Sequence, residues 1–117
     1  MNGNALKLRL ERQPASQDVT LILNWTHSPD LEALRSISSY TERRQRLDAF
    51  YDALKKPLLR DFEQFPGVTI TNALEGTGQA IVVAKAETWR SLLNLQNSPF
   101  ENKEIEVQFN DKVYAMS

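Results

Sequence analysis

Within residues 41–65 the large apolar side chains fall at Leu47, Phe50, Tyr51, Leu54, Leu58, Phe62 and Phe65, in steps mostly of three and four. That spacing lines up one stripe of an α-helix, with Asp52, Lys56, Arg60 and Glu63 pointing the other way. A helix with a single apolar stripe must lay it on a partner surface. Leu54, in the middle of the stripe, is expected to be fully buried. Thr41 reads as the N-cap, and Phe65-Pro66-Gly67 ends the helix. Pro57 lacks the donor for the carbonyl of residue 53, which predicts a kink or a restart near Lys55.

Elsewhere the pattern has mostly period two. Leu6, Leu8 and Leu10 alternate with Lys7, Arg9 and Glu11, which predicts a half-buried strand over residues 5–12, ended by Pro14. Val19, Leu21, Leu23 and Trp25 share one face of a second strand over 18–26. Ile22 on its other face marks that strand as central. Residues 68–73 and 79–84 predict a β-hairpin around Leu74-Glu75-Gly76-Thr77-Gly78, and Ile105, Val107 and Phe109 alternate in a last strand over 104–109. Two shorter segments read as helical. Ser28, Pro29 and Asp30 start one, with Leu31, Leu34 and Ile37 inward, although residues 30–40 fit a separate helix or an irregular lead-in equally well. Residues 86–95 give the other, with Trp89, Leu92 and Leu93 inward.

Leaving out the first strand and the residues after 109, the order is strand, helix, strand, strand, helix, strand. This predicts an α+β chain, a ferredoxin-like split βαβ with an antiparallel sheet and two helices on one face. An extra N-terminal strand and a C-terminal strand or tail complete it, and the 117 residues read as a single domain over 1–117.

Composition excludes several function classes. Hydrophobic residues make up 41% and charged residues 25%, which is ordinary for a globular domain. There is no cysteine, so disulfide and thiolate chemistry are out, and no apolar run reaches the length of a membrane span. Without a signal-like N-terminal core, the expected location is cytoplasmic and no membrane is expected as a partner. The net charge is −1, from 14 basic and 15 acidic residues spread along the chain. Only Arg43, Arg44 and Arg46 cluster, and Glu42 is placed to pair with Arg46 four residues on. No nucleic acid is expected as a partner, since binders concentrate positive charge on one face. Sheets that stack RNA bases also carry aromatics on their middle strands, where this chain has only Trp25.

Candidate chemistry is sparse. His27 is the only histidine and has no nucleophile or second ligand in local reach, so it reads as a surface residue beside a helix cap. No carboxylates sit in a ligand-like local pattern, so neither a metal nor a cofactor is expected. Gly76-Thr77-Gly78 joins two strands instead of leading into a helix N-terminus, and so serves a turn, not a phosphate.

The succession PGVTITNALEGTGQAIVVAKAETWRSLL, followed by ENKEIEVQFNDKVYAMS, resembles the propeptides and small inhibitors of subtilisin-type proteases in its layout over residues 66–117. The resemblance implies a hairpin of small residues, a short helix, a last strand, and a C-terminal tail that enters the protease cleft. Tyr114, Ala115, Met116 and Ser117 would then contact the partner, a subtilisin-type protease. Read from the residues alone, 112–116 can instead pair with 104–109 through a turn at Asn110-Asp111.

Together these features favour a non-enzymatic protein-interaction domain acting through its open sheet face, an edge strand or its tail. The alternative is a small-molecule-binding sensor or regulatory domain with a pocket between sheet and helices. Uncovered strand edges also predict a homodimer, with Leu6, Leu8 and Leu10 contributing.

Overall fold

The computed structural model describes residues 3–96 and 98–110. Helix α1 (Gly3–Glu11) precedes strand β1 (Asp18–Trp25), the short helix α2 (Leu31–Arg35) and the long helix α3 (Tyr40–Glu63). Strands β2 (Thr69–Asn72) and β3 (Gln79–Lys85), helix α4 (Ala86–Leu93), a single 3-10 turn (Pro99–Glu101) and strand β4 (Ile105–Phe109) follow. The fold is α+β, with one four-stranded antiparallel sheet in the order β2-β3-β1-β4. β1 is central, as its apolar residues on both faces require: Val19, Leu21, Leu23 and Trp25 are buried, and Ile22 on the other face is half-buried.

Residues 5–12 correct the expected first strand. Residues 5–11 belong to α1 and Arg12 to the turn after it, and the reason is that Leu6 and Leu10 satisfy two periods at once. Alternation puts them on one face of a strand, and a spacing of four puts them on one face of a helix. The helix prevails because α4 offers it a docking surface. Leu6 and Leu10 are buried, and Leu8, which a strand would have placed with them, is left 56% exposed. Arg90 of α4 donates from Nε to the Leu10 carbonyl at 3.0 Å and from Nη2 to the Gln13 carbonyl. The Leu10 carbonyl also accepts from the Gln13 amide at 3.1 Å, so Arg90 fastens the last turn of α1 and the residues just after it to α4. The Arg9 guanidinium lies 3.9 Å over the Phe109 ring, tying α1 to β4 as well.

The helix starts also differ from expectation. Asp30 caps α2 by accepting from the amides of Glu32 and Ala33, both at 3.1 Å, a role expected of Ser28. Residues 30–40 therefore hold a separate short helix. Ser39, not Thr41, caps α3 through the Glu42 amide at 3.2 Å. α3 runs on through Pro57 without a restart.

At 24 residues α3 is about 36 Å long, and its fully buried residues all lie in its second half: Lys55, Leu58 and Phe62. Leu54 is half-buried and packs against the core without being enclosed by it, contrary to the expectation of full burial. Phe62 meets Trp89 of α4 edge-on at 6.2 Å and Phe100 at 5.2 Å, while Trp89 and Phe100 stand 5.6 Å apart. The Trp89 indole N–H donates to the Val19 carbonyl at 3.0 Å. That bond lets a large buried aromatic keep its polar handle satisfied while pinning α4 to β1.

The two leucines of α3 are a direct test of this burial gradient. Leu58→Ala is expected to cost about 2–5 kcal/mol. Leu54→Ala should cost less, and Asp61→Ala, exposed on α3 away from the groove, should stay within about 0.5 kcal/mol. Urea melts of the three variants measure the order, and equal losses at Leu54 and Leu58 would mean that the enclosed part of the helix begins earlier than described.

Candidate functional site

Beside its core-facing stripe, α3 carries a second one. Asp48, Asp52, Lys56, Leu59 and Glu63, again three and four residues apart, line one wall of a groove. Ile70 of β2, with Ala73, Glu75 and Gly76 after it, lines the other, and the cavity between them has a volume of about 590 Å³. β2 is the edge of the sheet and pairs only with β3 among the described residues. The register with β3 slips between Ile70 and Asn72, and Thr71 bridges the gap by donating from Oγ1 to the Ile81 carbonyl at 3.3 Å.

The two walls are tied by a buried lysine. The Lys55 Nζ donates to the carbonyls of Ala73 at 2.5 Å, Leu74 at 3.1 Å and Gln79 at 3.0 Å, at both ends of the β2–β3 turn. Burial pulls its pKa below the ordinary lysine value, against the charges of Asp52 and Glu75, which hold it up. Three carbonyl acceptors require three N–H donors, and only the ammonium form has them. A lysine held in this way has no lone pair to offer as a base or nucleophile, so its work is structural.

The turn is shaped to sit close against α3. Leu74 and Gly76 both have positive φ, 46° and 76°. The positive φ at Gly76 favours glycine, and a Cβ there would come 2.5 Å from Asp48 Oδ1 and push that side chain aside. The Thr77 hydroxyl donates to the Leu74 carbonyl at 2.7 Å, and the Leu74 amide donates to Asn72 Oδ1 at 2.9 Å, which closes the turn. Gly76-Thr77-Gly78 therefore serves turn geometry, as its place between two strands implies.

The other candidates are distributed as follows. Tyr114, Ala115, Met116 and Ser117 lie outside the described residues. His27 is exposed, and among the described residues no three His, Asp or Glu side chains come together as a metal site. Arg46 pairs with Glu42 at 3.3 Å and Arg44 with Asp48 at 3.5 Å, so two of the three clustered arginines have acidic neighbours one turn away. Trp25 is buried on the core side of β1, and the opposite face presents Thr20, Ile22, Asn24, Ile81 and Val83, none of them aromatic. No described helix is long and apolar enough to cross a membrane.

Sequence reasoning passed over Lys55, and it gave no residues for the pocket it allowed between sheet and helices. The available signal was weak: Lys55 lies at the margin of the core stripe on the helical wheel, where a solvated lysine is the common outcome. Its three acceptors are 18 to 24 residues further along the chain.

Comparisons with protein-family models, curated proteins and solved structures give no match for this chain.

Removing the ammonium while keeping the stem tests its role. Lys55→Met takes a charged donor from three carbonyls, of which that of Leu74 keeps Thr77, and is expected to cost about 1–3 kcal/mol. Amide chemical shifts should change over residues 72–79. Lys103→Met, at an exposed lysine away from the groove, should stay within about 0.5 kcal/mol and leave those shifts in place. Matching behaviour of the two variants would show that Lys55 does not hold the turn.

Proposed function

We propose that this chain is a non-enzymatic protein-interaction domain of ferredoxin-like, split βαβ form. It takes an extended segment onto the free edge of β2, in the groove against α3. The observation that carries this reading is the coincidence of a strand edge left unpaired among the described residues with a cavity of about 590 Å³ that reaches the strand at Ile70. An edge strand offers main-chain donors and acceptors in a fixed row, which gives affinity for any extended backbone, while pockets beside it sort the side chains. Here Leu59, Ile70 and Ala73 supply the apolar part of the groove, and Asp52, Lys56, Arg60 and Glu63 supply charges of both signs. Lys55, the buried ionisable group at the groove, has every proton committed to a carbonyl, which favours a binding surface over a catalytic one.

A library of unstructured hexapeptides, titrated into the isotopically labelled chain, tests the proposal. Binders should shift the amides of residues 69–76 and of α3. Methylating alternate backbone nitrogens of a binder should weaken it at least tenfold, because the lost contacts are main-chain hydrogen bonds. Binders indifferent to backbone methylation would overturn strand addition. Shifts produced only by compact small molecules in the same groove would favour a sensor domain instead.

A further inference from the structure

The structure assigns an occupant to this edge: a second copy of the same chain, its β2 antiparallel to the first across a two-fold axis. This inference rests on the reading of β2 as the contact surface and names the partner that the surface fits.

The position of β2 along α3 is fixed at two points. Lys55 holds the carbonyls of Ala73 and Leu74 just past the C-terminal end of β2, and the Val68 amide bonds the Phe65 carbonyl just before its start. β2 therefore runs beside residues 55–65, the last part of α3 and the turn that follows it, and the middle of β2 falls opposite Leu59 and Arg60. A two-fold axis through the middle of β2 brings the two α3 helices side by side and antiparallel on the same side of the joined sheet. Residues equally distant from the axis on α3 then face one another. Lys56 and Glu63 lie on the groove side of the helix, one before and one after Leu59-Arg60, at matching distances. Each Lys56 meets the Glu63 of the other copy, twice over, with the two Leu59 side chains between them. Arg60 also lies near the axis, where two like charges would repel but for the pair of Glu63 carboxylates flanking them.

Self-complementarity of this kind is what an isologous interface needs, since each patch must fit itself. The strand contributes in the same sense. Thr69-Ile70-Thr71-Asn72 has no charge to oppose its own image, and like charges directly opposite are what would disfavour such pairing. A four-residue strand pair is too small to hold a dimer by itself, so the helix contacts must supply part of the stability. An unprotected edge is a liability for any sheet, and pairing it removes the free row of donors and acceptors. The N-terminal leucines expected at a dimer contact are not needed here: Leu6 and Leu10 are inside the core.

Charge exchange at Lys56 and Glu63 tests the geometry. Sedimentation equilibrium of the full chain should show twice the 13.4 kDa monomer mass at high concentration. Lys56→Glu and Glu63→Lys should each weaken the dimer at least tenfold, since each places like charges together twice. An equimolar mixture of the two variants should regain the dimer, because every contact between unlike chains is then complementary again. The mixture also guards against misfolding, as two chains that failed to fold would not restore it. A wild-type chain that stays monomeric, or a dimer indifferent to both exchanges, overturns the assignment. Peptide-induced shifts at residues 69–76 in such a monomer would leave the interaction function standing without the dimer.

Discussion

One ammonium group positions the edge of the sheet in this molecule. β2 has four residues, one neighbouring strand among the described residues and a slipped register, which is little to hold an edge in place. Lys55 compensates from α3 by engaging three carbonyls of the following turn. Taking a charge out of water costs several kcal/mol, and charge-assisted hydrogen bonds of this number and length are the interactions strong enough to offset it. The groove is a product of the same contact: its far wall is the turn that Lys55 draws toward the helix, and Gly76 sets how close that turn comes.

Much of the framework was legible because it follows from period alone. β1, β3, β4 and α4 fall within a residue or two of where alternation and three-four spacing place them, and the core residues Trp89, Phe62 and Leu58 stand out as large apolar groups in those patterns. What stayed hidden depends on partners distant in sequence. Leu6, Leu8 and Leu10 fit a strand as well as Leu6 and Leu10 fit a helix, and the choice between them was made by Arg90, some 80 residues away. Cap assignment failed by one or two residues where several oxygens competed, Ser28 against Asp30 and Thr41 against Ser39. The groove had no pattern of its own. Its charges on α3 look like any solvated helix face until β2 is laid beside them.

The core explains why α3 can be so much longer than the strands it covers. Phe62, Trp89 and Phe100 form one edge-to-face cluster at the end of the helix, and Trp89 links that cluster to the central strand through the Val19 carbonyl. Anchored there, the first half of α3 needs only partial cover, which α2 and the half-buried Leu47, Phe50 and Tyr51 provide. The molecule thus separates a rigid end from a less enclosed one along a single helix.

The attachment of α1 has a consequence for how the protein opens. Its two buried leucines pack against α4, and Arg90, which bonds the carbonyls of Leu10 and Gln13, belongs to α4 too, while β4 adds the contact of Phe109 with Arg9. Among the described residues no backbone ladder joins α1 to the sheet. A local detachment of α1 that leaves the four strands paired would let its amides exchange with solvent, and α1 is then expected to be less protected than the sheet. Deuterium uptake in α1 would then report on the state of α4, and not on the global stability of the fold.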